Sequence, residues 1–412
     1  MVLNPSQKMH TAAPALLFRR SRVSVFGAFF LNGFALATWI VNIPAVSASS
    51  HIDNAVLGTT LLSLGFGSLL AMQASGYLSA FLGSRFTVAA GVVLIAAGLF
   101  GLTFVGDAWE LAGALFVLGL GNGCIDVGMN DQAVAVERRY NRPIMSAFHG
   151  FFSVGGAVGA GVGALLQRAE IDFNASLRIA AIGVVALGVA SIVGLLNREN
   201  VQAEEKLDLP PAHTSSAQPP IARRAVILGV LAFAVMLGEG AVNDWSALHA
   251  TQHLGQSASA ASLPFFFFAL TMTLGRLVMD RVAHAIGPVR VVRWGSAVAA
   301  VGLGTVIASP LYPLTILGWM IFGVGIAGIV PQVFTAAGAL APGRRGSIIL
   351  SRVVSGGYFG QLAGPALVGW VSVGIGINLA LLVPLFLLAA GIVAARVVSV
   401  SAATDSRLTS EQ

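Results

Sequence analysis

Two carboxylates, Asp126 and Glu239, stand inside stretches that are otherwise apolar. At membrane depth an ionisable side chain costs about 2.5–3.5 kcal/mol on insertion scales and marks a functional site by default. Glu239 falls close to the middle of the apolar run 225–249, and Asn243 and Ser246, at i+4 and i+7, continue its helical face. Asn122, Asp126 and Asn130 repeat at i+4 and share one face. The chain then turns through Arg138 to Arg142 and returns, which brings His149 to the depth of Asn130 and Ser153 to that of Asp126. Carboxyls in poorly hydrated positions beside a titratable imidazole can load and release a proton, so Asp126, Glu239, His149 and Asp244 are candidates for proton coupling. The alternative is a hydrogen-bonded clasp between helices together with a protonated packing Glu, both of which membrane bundles use. Asn32, Asn42, Asn122, Asn130, Ser153, Asn243, Gln332 and Gln361 are candidate hydrogen-bonders to a polar solute. Trp39 and Trp245 suit stacking on a sugar-like ring or lining a gate, and equally suit the interfacial belt.

Elements able to hold such residues at depth must lie in a bilayer. Of 412 residues, 56% are hydrophobic and 10% charged, against about 25% charged in a soluble domain. The mean hydropathy is +0.84. About 20 apolar residues cross the hydrocarbon core as a helix, and the chain offers twelve such windows, at 23–46, 57–80, 86–106, 110–136, 144–166, 178–196, 225–249, 260–281, 290–309, 312–337, 347–370 and 374–396. Strict alternation, the mark of a transmembrane barrel, is missing. The expected fold is therefore an all-α membrane protein.

With the N-terminus inside, 21 of the 23 Lys and Arg fall at cytoplasmic ends or loops, leaving Arg168 and Arg178 outside. Both termini are then cytoplasmic and the protein is expected in the plasma (inner) membrane. The first apolar run, 23–46, exceeds the 7–15 residues of a signal-peptide core and is read as a span. The net charge of +6 is spread singly and in pairs, which argues against a nucleic-acid surface. Cys124 is the sole cysteine, so no internal disulfide framework exists.

Residues 197–224 are polar and Pro-rich and are expected to be a cytoplasmic tether between two six-helix bundles, 23–196 and 225–396, with tails at 1–22 and 397–412. At offsets of 204 to 206 the halves align Trp39 with Trp245, Gly83 with Gly287, Arg85 with Arg290, Phe116 with Phe322, Gly119 with Gly325, Asp126 with Gln332 and Gly156 with Gly360. These matches point to a duplicated 6+6 protein with its substrate site between the halves.

The loop Gly275-Arg276-Leu277-Val278-Met279-Asp280-Arg281, with Gly287 and Arg290, resembles the Gly/Asp/Arg loop of the major facilitator superfamily. The first-half copy, Gly76 to Ala80 with Gly83 and Arg85, has Ala80 where that family usually has Asp. Residues 121–130 with Glu137, His149 and Ser153, and 239–246, resemble the branch that includes fucose-permease-like sugar transporters. The resemblance implies alternating access, with Gly83, Arg85, Gly275, Arg276, Asp280, Arg281, Gly287 and Arg290 as gating residues. Gly364-Pro365 is similar to a motif of drug antiporters, but there it belongs to the fifth helix, which here has no Pro past Pro143.

The expectation is a monomeric secondary transporter in the lipid bilayer, without a cofactor or metal, moving a small molecule with protons or sodium. Symport of a sugar or similar polar metabolite leads, and efflux of amphipathic compounds follows. No convergent catalytic or metal-ligating set argues for a membrane enzyme, and no Walker-type run argues for an ATP-driven pump.

Overall fold

The computed structural model describes residues 5–50, 54–140, 142–200, 221–256, 260 and 263–399. Among them all regular structure is helical. The first half comprises α1 (Pro5–Ser49), α2 (Asn54–Leu82), α3 (Ser84–Gly101), α4 (Ala108–Arg139), α5 (Met145–Arg168) and α6 (Phe173–Gly194). The second comprises α7 (Ile221–Gln252), α8 (Leu263–Ile286), α9 (Pro288–Ala308), α10 (Tyr312–Ile326), α11 (Ile329–Gly338), α12 (Arg344–Ala380) and α13 (Leu382–Ala394).

Among the described residues ten apolar segments are long enough to cross a membrane. Two further crossings complete twelve. One is α5, whose 24 residues span about 36 Å at 1.5 Å per residue. The other follows from α12, whose 37 residues are broken at Gly376, with φ 81°. Only a residue without Cβ enters that conformation readily, so the break ends the eleventh crossing and α13 continues the twelfth. The tenth crossing is likewise two pieces, α10 and α11, parted at Ala327 and Gly328. Of the expected tether 197–224, residues 201–220 lie outside the described residues, while 221–224 belong to α7.

Inside each half, helices approach through glycine, since lipid provides no hydrophobic drive between apolar helices and close packing must hold them. A Cβ at Gly155 of α5 would strike the Phe30 carbonyl of α1, and one at Gly360 of α12 would strike the Phe233 carbonyl of α7. The same pairing recurs between α4 and its neighbours, where Gly119 meets Leu64 and Gly121 meets Ile95, and between α10 and its neighbours, where Gly323 meets Phe268 and Gly325 meets Ala299. These contacts fix the internal repeat at 204 residues here, so Gly119 corresponds to Gly323, not Gly325, and Phe116 to Met320, not Phe322. The alignment of Asp126 with Gln332 falls with them, and Gly155 replaces Gly156 as the counterpart of Gly360. Gly83 and Gly287 do correspond: each caps the next helix with positive φ, 91° and 82°.

The halves meet along α2 against α12 and α5 against α8. Hydrogen bonds between them gather at the end that carries the connections 82–84, 139–145, 286–288 and 338–344. There Asp280 of α8 accepts from the N–H groups of Ser146 (2.8 Å) and Ala147 (2.7 Å) at the start of α5. Glu137 of α4 takes the two preceding N–H groups, of Ile144 and Met145, and its other oxygen accepts from Thr335 of α11 at 2.8 Å. Four consecutive backbone donors that the helix start leaves unpaired are thus held by one carboxylate from each half. Asp131 joins Ser79 of α2 (2.5 Å) to Ser347 of α12 (2.9 Å), and Arg138 donates to the Gly338 carbonyl at 2.7 Å. Ser351 donates to the Met72 carbonyl. This end is closed.

Candidate functional site

Above that seal, between the halves, lies a cavity of about 500 Å³. Its polar lining includes Ser68, Asn122, Asp126 and His149 from the first half, and Glu239, Asn243, Arg276, Tyr358 and Gln361 from the second. Leu36, Leu61, Leu62, Phe152, Met236 and Leu362 are among its apolar walls. Stacking of the 3.6-residue repeat explains the polar side on α4, since Asn122 and Asp126 occupy one stripe. The third member of that stripe, Asn130, is buried out of the cavity and turns its amide back onto the Asp126 carbonyl at 2.8 Å.

Among the described residues no hydrogen bond joins Asp126 to Ser153, which accepts from Arg276 instead. The Oδ1 of Asp126 accepts from the Tyr358 hydroxyl of α12 at 3.2 Å, across the halves, and its Oδ2 is buried without a hydrogen-bond partner. Asn122 donates to Ser68 at 3.2 Å, and Ser68 donates to the Gly119 carbonyl. The His149 ring is packed against Phe29 (5.1 Å between centroids) and Phe334 (5.8 Å), and its Nε2 has no partner. No hydrogen bond joins His149 to Asp126 among the described residues.

Arg276 overturns two expectations at once. The sequence puts it in the cytoplasmic gate and among the 21 cytoplasmic charges, which leaves no cation at mid-depth. It sits ten residues before the end of α8, about 15 Å along the axis, because α8 runs on to Ile286 instead of stopping at 281. Its side chain, 8% exposed, lies 3.5 Å from Glu239 of α7, and a second nitrogen donates to Ser153 of α5 at 3.2 Å. Glu239 therefore has a cationic partner, and Arg276 ties the two halves at the cavity floor. Its Nε is buried and unpartnered.

The other residues disperse. Asn32 is fully buried in α1 with neither side-chain polar atom bonded, and lies outside the cavity lining. Asn42 bonds back to the Thr38 carbonyl at 2.8 Å, Trp39 is buried in the first-half core, and Trp245 packs over Gly369 of α12. Gln332 is buried in α11 with its amide nitrogen unpartnered. The side chain of Asp244 lies outside the described residues. Gly275, beside Arg276, packs on Ala327, while at the closed end Arg85 donates to Asn197 at 2.6 Å and Arg281 and Arg290 are exposed. Sequence reasoning missed Tyr358; its signal was a phenol, one of only 4 in the chain, within an apolar span and three residues before Gln361.

What this arrangement can do is bind a molecule of modest size between two halves, with a carboxylate contributed by each half and a guanidinium between them. Comparison with known proteins agrees. An uncharacterized MFS-type transporter of Yersinia pestis is 35% identical over 354 residues, covering 85% of this chain and 88% of that one. The membrane protein MosC of Rhizobium meliloti is 28% identical over 392 residues, covering 95% and 90%. Among solved structures, the transporter FucP in its outward conformation superposes with a TM-score of 0.72 at 16% identity, covering 92% of this chain and 98% of that one. The proton:xylose symporter XylE, bound to a halogenated deoxyglucose, gives 0.73 at 12% identity, covering 93% and 95%. The sequence profile of the Major Facilitator Superfamily matches residues 25–247 and 228–412. This chain, a multi-pass membrane protein and a transporter rather than an enzyme, belongs to the Major Facilitator Superfamily.

Proposed function

We propose that the protein is a proton-coupled symporter of a sugar or similar polar metabolite. It would work by rocking its halves, 23–196 and 225–396, about the cavity, in the inner membrane with both termini cytoplasmic. The observation that carries this reading is the Asp126–Tyr358 hydrogen bond. It links a buried carboxylate of one half to a hydroxyl of the other, so any separation of the halves at this level removes that donor from Asp126 and alters its hold on a proton. Glu239, paired with Arg276, is the second exchangeable carboxylate: protonating it frees for solute the guanidinium nitrogen that Ser153 does not already hold. Asn122, Asn243 and Gln361 would hold the solute's hydroxyls. Asp280 and Glu137 at the start of α5 would form the cytoplasmic gate, and with that end closed this conformation would face outward. One chain contains the whole cavity, in keeping with a functional monomer.

Amphipathic solutes are the second reading, favoured by the leucine-rich walls formed by Leu36, Leu61, Leu62 and Leu362. Solute-driven pH change in proteoliposomes tests both, screened across sugars, sugar acids and amphipathic cations. Alkalinisation outside on adding one solute class, lost in Glu239→Gln or Asp126→Asn, is expected. Solute movement without a proton signal would remove both carboxylates from coupling.

A further inference from the structure

A second cavity, of about 590 Å³, lies away from the first, between the start of α7 and the start of α12. Its walls are apolar, with Ala225, Val226 and Gly229 on one side and Ile348, Ile349 and Val353 on the other. Three guanidiniums edge it: Arg344, Arg345 and Arg352. Arg344 lies over the Phe81 ring at 4.0 Å, and Arg352 donates to the Tyr77 hydroxyl at 3.3 Å. Neither is a charged partner, and among the described residues no carboxylate pairs with any of the three.

Depth makes these charges unusual. Arg352 is eight residues into α12, about 12 Å from Arg344 along the axis, and it is exposed on the same helix as Phe359, itself 58% exposed. Val226 and Val230 of α7 are exposed too, at 66% and 58%. Large apolar side chains bare on the surface of a membrane protein face acyl chains, so the groove opens sideways to lipid, with Arg344 and Arg345 at headgroup level and Arg352 about two turns deeper. An apolar trough that ends in a cluster of Arg fits a ligand with a phosphate at one end and a hydrocarbon chain at the other.

We propose that this groove binds an anionic phospholipid, its phosphodiester held by Arg345 and Arg352 and one acyl chain lying between α7 and α12. The site is separate from the solute cavity and needs no assumption about the substrate. Only the choice of leaflet rests on the proposed orientation. Because Arg352 also reaches Tyr77 of the other half, a bound headgroup would compete for the guanidinium with an inter-half contact, which gives lipid composition a hold on the closed end.

Native mass spectrometry of the whole protein, released from vesicles of phosphatidylglycerol mixed with phosphatidylcholine, tests the proposal. The unaltered chain is expected to retain phosphatidylglycerol over phosphatidylcholine. A guanidinium near the surface multiplies affinity for anionic lipid by about five, so Arg345→Gln with Arg352→Gln lowers retention about 25-fold. Arg345→Lys with Arg352→Lys keeps most of it. Tyr77→Phe removes the competing inter-half bond but not the charges, and retains lipid at least as well as the unaltered chain. Equal retention by the double Gln variant, or displacement of the lipid by millimolar inorganic phosphate, would overturn the proposal. Should the Gln variant not fold, crosslinking of the unaltered chain by a diazirine-bearing phosphatidylglycerol decides: label concentrated at 221–230 and 344–353 supports it, and label spread evenly around the bundle overturns it.

Discussion

A buried carboxylate, Asp126, and a half-buried one, Glu239, face one phenol and one guanidinium, and each partner comes from a different helix. Truncating one member of a buried ion pair costs about 3–5 kcal/mol, because the survivor is left charged and unpaired, whereas neutralising both costs much less. Glu239→Gln and Arg276→Gln are therefore each expected to lower the melting temperature of the purified protein, and the double variant to recover part of the loss. Additive losses would mean that the pair at 3.5 Å contributes nothing. Tyr358→Phe is expected to destabilise by about 1.5–3 kcal/mol in wild type, the scale of a hydrogen bond to a charged group, and by less in an Asp126→Asn background. Asp126 and Glu239 were legible as residues because an acid in an apolar run has few explanations. Their partners were not: Arg276 looked like a loop charge, since hydropathy blurs the end of a helix by several residues, and a lone Tyr in an apolar span carries no pattern.

At the scale of elements, glycine decides which helices touch. Adding a methyl where a carbonyl already sits forces a backbone shift costing about 1–3 kcal/mol. Gly155→Ala and Gly360→Ala are expected to lower thermal stability by that amount, whereas Gly161→Ala on the same helix as Gly155, where a Cβ meets nothing within 4 Å, is expected to be neutral or to stabilise by up to about 1 kcal/mol. Equal melting temperatures for Gly155→Ala and Gly161→Ala would refute the packing account. The twelve windows were readable from apolar length alone, which sets whether a helix can span. The repeat was readable in outline but its register slipped by one or two residues, because Gly-rich helices offer several near-equivalent alignments and only the contacts, such as Gly119 on Leu64 and Gly323 on Phe268, choose between them.

For the whole molecule, closure of one end rests on a few charged hydrogen bonds. Asp280 spans the halves by capping α5, so Asp280→Asn should weaken closure by about 1.5–3 kcal/mol, a shift of about tenfold or more in the balance of conformers. Distances between spin labels at positions 85 and 290, with Cys124 replaced, should broaden toward longer values. An unchanged distribution would show that other contacts hold this end.

In the proposed cycle Asp126 carries the proton that couples solute movement to the gradient. The most direct test of that role is transport by Asp126→Asn in proteoliposomes, measured both as accumulation against a solute gradient and as exchange at equal concentrations. Exchange without accumulation is expected, since an amide keeps the cavity and the rocking halves but has no proton to load. Accumulation equal to that of the unaltered protein would contradict that role.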